Sequence, residues 1–421
     1  VASEIPRTSP VAASAAPAAP LATTLAALFI AALALRPNLI GVGPLLPQII
    51  DDLGTTHAVT GLLATIPVVC MGLIAPFATR LARSIGARRG VVLGLVALAA
   101  AGVLRATAGD ALSLVGMTVP IGLAIGVGGA LLPVVVKERL PYAASVATGV
   151  YTTAIQLGAS IAAFVAVPLA AAFGGWRGAL VAFSLVCLAA LVAWLGLTPN
   201  GGRAMSAPPA ASGAIGGGGP PARTANAGRA ASPAWRDPMV WLLAVLFWLC
   251  AVPFYGLISW LGAALVERGW PEAVAGATVA TVSLAGLPGS LLIGWTADRL
   301  GSRRRTMVAW AAVMTLGVAG FAVAPDLALV WALVAGLAIG ATFTLTLILP
   351  LDIAAEGRNA GAVIGVVLFG GYVLTGLTPV LVGAMRDVTG SFEASLWLLV
   401  AVSALVIPFS APLTRSRLGG R

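Results

Sequence analysis

Apolar residues run along this chain in stretches of twenty or more, broken by short clusters of charge, glycine and proline. About 20 such residues as a helix cross the hydrocarbon of a bilayer. The runs lack the alternation of strands, so the pattern predicts an all-α membrane protein. Twelve helices are predicted. The first six cover Leu21 to Ile49, Val59 to Leu81, Gly90 to Ala108, Ala111 to Val136, Ala143 to Phe173 and Trp176 to Leu197. The second six cover Pro238 to Val266, Ala273 to Ala297, Thr306 to Ala324, Leu327 to Leu351, Asn359 to Met385 and Phe392 to Leu413.

Composition agrees: 59% of residues are hydrophobic and 9% charged, against about 25% charged in a soluble domain. The net charge of +10 would suggest nucleic acid as the partner of a soluble chain. Here the basic residues sort by side of the membrane. Arg7, Arg80, Arg83, Arg88, Arg89, Lys137, Arg139, Arg203, Arg223, Arg229, Arg236, Arg299, Arg303, Arg304, Arg305, Arg358, Arg415, Arg417 and Arg421 fall on one side. Arg105, Arg177, Arg268 and Arg386 fall on the other, and Arg36 lies inside the first helix. The asymmetry puts both termini in the cytoplasm and excludes nucleic acid as the explanation of the charge.

Residues 1–20 are rich in Ala, Pro and Ser and read as a disordered tail. The apolar stretch after them runs through Arg36 without a convincing cleavage site, so it reads as a retained first helix. Residues 199–237 are a Gly, Pro, Ala and Ser-rich cytoplasmic linker between a half at 21–198 and a half at 238–413, with a tail at 414–421. The halves carry a repeat. Gly122–Gly126 and Gly336–Gly340 are both GLAIG, and Leu132-Pro133 matches Leu349-Pro350. Arg83 to Arg89 is echoed by Arg299 to Arg304, and all these pairs stand at nearly one interval.

Two six-helix halves on a long linker resemble the major facilitator superfamily of secondary transporters. The stretch Gly294 to Arg304, with Asp298-Arg299, Gly301 and Arg303-Arg304, carries that superfamily's loop signature; in the first half Ala82 stands where its acid belongs. Leu35-Arg36-Pro37, Val42 to Pro47, Pro67 to Gly72, and Leu132-Pro133 followed by Lys137 resemble the cyanate and 2-nitroimidazole transporter family. The resemblance implies a solute transporter of the bacterial inner membrane, working without a cofactor.

Arg36 is the sharpest candidate for chemistry. It lies roughly 22 Å into a helix that starts near Leu21, at 1.5 Å per residue. An arginine at that depth costs about 2.5–3.5 kcal/mol on insertion scales and faces a cavity or a partner. Every Asp and Glu falls at a helix end or in a loop, so the missing counter-ion is read as the substrate, whose planar oxyanion, nitro or carboxylate group a guanidinium fork suits. The competing reading is structural: Arg36 bonds carbonyls left free by Pro37 or Pro44. In the resembling fold the first, fourth, seventh and tenth helices line the cavity. That makes Asn38, Tyr255, Trp260, Thr342, Thr344 and Thr346 candidate ligands, with Tyr151, Gln156 and Tyr372 from the fifth and eleventh. Each ring has an alternative reading as packing or an interfacial anchor.

Arg83, Arg88, Asp298, Arg299 and Arg303 read as a cytoplasmic latch, Asp298 capping a helix or pairing with Arg299 or Arg303, or else as positive-inside anchors. Cys70, Cys187 and Cys250 read as small buried apolar residues, and His57, the single histidine, as part of a solvated outer loop. Small-residue spacings such as Gly361/Gly365 permit close helix approach. No P-loop is present, so ATP is not the evident energy source. The reading is a monomeric alternating-access transporter, with the small solute and the bilayer as its partners. A proton-driven drug exporter is the alternative. A membrane enzyme lacks a catalytic constellation and a sensor lacks an output module.

Overall fold

The computed structural model describes residues 21–140, 143–198, 234–354 and 360–413. The tails at 1–20 and 414–421 and most of the 199–237 linker lie outside the described residues. All regular elements among those described are helical. Eleven are long and apolar enough to cross a bilayer: Leu21–Leu53, His57–Phe77, Ala87–Ala106, Ala111–Arg139, Val146–Ala172, Trp176–Leu197, Pro238–Glu267, Glu272–Leu300, Arg303–Val323, Pro325–Pro350 and Ala362–Thr389. The shorter apolar helix Glu393–Phe409 completes two sets of six. The predicted starts at Ala111 and Pro238 agree with the structure, whereas the eighth helix runs to Leu300 and the ninth begins at Arg303, each three residues from the predicted end; local chemistry marks the observed boundaries. Thr56, Asp110, Asp237 and Ser302 each accept a backbone N–H at the start of a helix. Gly301, in the signature loop, ends the eighth span in the left-handed region at φ +59°, where a glycine carries no Cβ penalty.

The two sets pack alike. Within the first, span two meets four, three meets four and six, and one meets five and six; within the second, eight meets ten, nine meets ten and twelve, and seven meets eleven and twelve. The sets join along two seams, two against eleven and five against eight. Glycine lets the backbones come close there. A Cβ at Gly61 would lie 2.7 Å from the Pro379 carbonyl oxygen, and one at Gly72 would lie 3.0 Å from Tyr372 Cβ.

The first span is not the continuous helix that the apolar pattern predicts. It is helical over Leu21–Ala34, turns at Leu35 and Arg36, makes one helical turn at Pro37–Ile40, passes through a 3-10 segment at Gly43–Leu45 and resumes at Leu46–Leu53. Proline explains both interruptions, since it has no N–H to donate and crowds the preceding turn. Without a donor at Pro37, the Leu33 carbonyl accepts only a 3.5 Å contact from Arg36 N–H, and Gly158 of the fifth span packs directly on that oxygen. Pro44 does the same to the next turn, where Gly43 packs on the Ile258 carbonyl of the seventh span.

Candidate substrate site

The break in the first span sets Arg36 at the junction of the two sets, with its side chain half-buried. Among the described residues its guanidinium makes no hydrogen bond and no ion pair. Tyr372 of the eleventh span lies within electrostatic reach of Arg36, of Tyr151 from the fifth span and of Tyr255 from the seventh, so three of the chain's 4 tyrosines and this cation meet around Tyr372. None of the three hydroxyls is engaged in a hydrogen bond among the described residues.

Aromatic neighbours hold these rings. Tyr372 stands edge-on to Phe247, ring centres 4.9 Å apart, and Phe247 meets Phe343 of the tenth span at 5.2 Å. Phe254 is edge-on to Tyr255 at 5.2 Å. Gln156 crosses from the fifth span to the eighth, where its Nε2 lies 3.2 Å from the place a Cβ on Gly286 would take. Thr344 is half-buried on the tenth span and donates to the Gly340 carbonyl one turn back at 2.9 Å. Thr342 and Thr346 are buried and bond their own helix in the same way.

Asn38 and Trp260 are not part of this cluster. Asn38 is fully buried behind the break, where its carbonyl and Oδ1 accept from Arg105 Nη2 at 3.1 and 3.4 Å and its Nδ2 donates to Cys187 Sγ at 3.4 Å. Trp260 donates its indole N–H to the Pro379 carbonyl at 2.7 Å and packs against His57 and Phe392, toward the end of the bundle away from the basic loops.

That end is shut. His57 is no solvated loop residue but the first residue of the second span. Its Nδ1 lies 2.7 Å from Asp387 Oδ1, and the backbone N–H groups of His57 and Ala58 donate to the same carboxylate at 3.1 and 2.8 Å. Gln48 donates to Glu272 across the sets at 3.1 Å. Arg177 pairs with Asp52, Arg268 donates to the Phe321 carbonyl, and Arg386 pairs with Glu267 at 3.1 Å. Arg105, which the sequence places at the same end, turns its side chain inward and is fully buried. The basic end carries the loops that follow the second and eighth spans. There Asp298 is exposed, with no ion pair to Arg299 or Arg303. Arg299 lies over the Trp295 ring at 4.3 Å, and Arg88 Nε donates to the Thr198 carbonyl at 2.6 Å. The side chain of Arg83 lies outside the described residues.

Three side chains that organise this arrangement, Arg105, His57 and Asp387, are not legible as such in the sequence. Arg105 reads as an ordinary helix-end charge. His57 and Asp387 are 330 residues apart, and no spacing rule joins them. The three cysteines are buried as predicted, although Cys187 also donates to the Ala34 carbonyl at 3.3 Å. No metal-binding cluster occurs among the described residues.

Two like-packed sets of six spans, closed at one end round a half-buried cation and free phenols, define a multi-pass membrane carrier. The chain belongs to the Major Facilitator Superfamily, whose model matches residues 27–379 and 266–420. It is a transporter and not an enzyme. It is 30% identical over 385 residues to the 2-nitroimidazole transporter of Escherichia coli (strain K12), covering 91% of this chain and 93% of that protein. Identity to the cyanate transport protein CynX of the same organism is 28% over 372 residues, covering 87% and 91%. In fold it is similar to a bacterial homologue of the human lysosomal transporter Spinster in an inward-facing, unoccupied conformation, with a TM-score of 0.70, 18% identity and 92% of each chain covered.

Proposed function

We propose that this chain carries a small anion or nitro-bearing compound of the cyanate or nitroimidazole type by alternating access, with Arg36 as the substrate's charged partner. The observation that carries the reading is the Arg36 guanidinium at the proline break, half-buried, without a hydrogen bond or ion pair among the described residues, and within electrostatic reach of the unbonded Tyr372 phenol. A cation in such surroundings gains most from a bound anion, because water no longer screens the pair. The structural alternative, in which Arg36 serves the carbonyls freed by Pro37 or Pro44, has no hydrogen bond to support it.

In this reading the membrane is the bacterial inner membrane, the basic loops and both termini face the cytoplasm and the carrier acts as a monomer. The closed end is then the outer one, and the conformation is inward-facing. Substrate would enter the Arg36 site from the cytoplasmic side in this state, and exchange of the two ends would follow as the halves rock about their glycine seams. In this reading Asp298, exposed here, would engage its partner only in the opposite state. Transport is facilitative or coupled through the substrate's own proton, since no carboxylate accompanies Arg36. The names of the two relatives support this class of cargo.

The test is a thermal-shift titration of the purified protein with 2-nitroimidazole, cyanate and a panel of cationic drugs. Stabilisation by the first two and not by the drugs is the expected result. The reverse pattern would favour the drug-exporter alternative.

A further inference from the structure

Arg36 sits in a stretch of chain that cannot hold its own shape. Pro37 has no N–H, so the helical ladder lapses through Leu35 and Arg36, and on either side of the lapse the Ala34 and Asn38 carbonyls take side-chain donors from other spans. Those donors come from two places. The Ala34 carbonyl, two residues before Arg36, receives Cys187 Sγ of the sixth span at 3.3 Å. Asn38, two residues after it, receives Arg105 Nη2 of the third span on its carbonyl at 3.1 Å and on Oδ1 at 3.4 Å. Asn38 Nδ2 closes the loop by donating to Cys187 Sγ at 3.4 Å.

The surroundings are cut to admit this arrangement. Gly102, one turn before Arg105, leaves the room that Asn38 occupies: a Cβ there would lie 2.9 Å from Asn38 Oδ1 and would strike Ser184 Oγ. Arg105 itself is fully buried, with no acid beside it, and its Nε and Nη1 have no hydrogen-bond partner. A residue that only filled this space would be hydrocarbon, because a buried guanidinium with orphaned donors opposes folding. Its one specific contact is with the residue that follows the break.

We propose that Arg105 is the positioning residue of the Arg36 site: from the third span it clamps the break in the first, and so presents the Arg36 side chain to the junction between the halves. The proposal rests on the reading of Arg36 as the substrate's partner. Arg105 does not touch the substrate. It fixes the backbone two residues from the group that does, and a misplacement of about 1 Å at a binding group is enough to lose most of its interaction.

The experiment separates positioning from binding. Arg36→Cys is made in the full-length chain, whose native cysteines are all buried, and its rate of modification by a small cationic methanethiosulfonate is measured with Arg105 intact, with Arg105→Met and with Arg105→Lys. Loss of the clamp is expected to slow modification roughly fivefold or more, and lysine, which still reaches the Asn38 carbonyl with one donor, to restore most of the rate. An unchanged rate in the Arg105→Met background overturns the proposal. If that variant does not fold, Gly102→Ala takes its place, displacing Asn38 directly, and modification at the parental rate is again fatal. A second readout keeps Arg36 and measures 2-nitroimidazole affinity in Arg105→Met, expected to fall about tenfold. Slowed modification with unchanged affinity supports the positioning role and removes Arg36 from the substrate site.

Discussion

The Asp387 carboxylate, from the end of the eleventh span, holds the first turn of the second span through His57 Nδ1 at 2.7 Å and two backbone N–H groups. A carboxylate at a helix start complements the positive end of the helix dipole, so one side chain of the second half caps a helix of the first. The contact bridges the two halves where this end of the bundle is shut. Asp387→Asn keeps the size and removes the charge, at a cost of about 1 kcal/mol to closure after solvent screening. Spin-label distances across this end are expected to show the open population rising roughly fivefold. Identical distance distributions in variant and parent would mean that the contact does not set the equilibrium.

Closure also depends on close backbone approach. A side chain on Gly43 would run into the Ile258 carbonyl, whereas one on Gly129 would meet nothing within 4 Å. Gly43→Ala is expected to hold the same end apart and Gly129→Ala to behave as the parent. The two compared by the same distance measurement isolate the steric effect from any general loss of helix stability.

At the substrate site, Arg36→Lys keeps the charge and loses the planar fork, so binding of 2-nitroimidazole is expected to weaken while insertion and melting temperature hold. Arg36→Ala and Arg36→Gln are expected to lose about 2–5 kcal/mol of binding, the scale of a desolvated charge pair left without its partner. Calorimetric titration checks this, with expression and thermal stability measured beside it. A well-folded Arg36→Ala that transports at the parental rate would remove Arg36 from the mechanism.

The phenols give a finer test. Tyr255→Phe and Tyr372→Phe remove one unbonded hydroxyl each and leave the ring packing with Phe254 and Phe247 in place. If the hydroxyls contact substrate, each change weakens binding by about 0.5–1.5 kcal/mol without lowering the melting temperature. If they do not, affinity stays at the parental value.

Orientation is tested independently of transport. Cysteines at Ser302, in the basic loop before the ninth span, and at Thr55, before the second, lie at opposite ends of the bundle. An impermeant thiol reagent added to intact cells is expected to label Thr55→Cys and to spare Ser302→Cys. Labelling of Ser302→Cys from outside would invert the assigned topology.

The apolar runs and the proline and glycine punctuation were enough to determine the helical class and the two sets of six spans. These are one-dimensional properties: hydrocarbon thickness sets run length. The gathering of Tyr151, Tyr255 and Tyr372 was approached only through analogy with a known fold, since nothing in their spacing joins three separate spans. What tertiary structure alone decided was direction. Asn38 and Arg36 are two residues apart, yet one lies back against Arg105 and Cys187 and the other comes within electrostatic reach of Tyr372 in the second half. Arg105 reads as a helix-end charge until its side chain is seen turned inward, and His57 reads as a loop residue until Asp387 is brought to it from the other half. Such pairings depend on which helix faces pack and how closely glycine lets them approach, quantities that no single segment of the chain encodes.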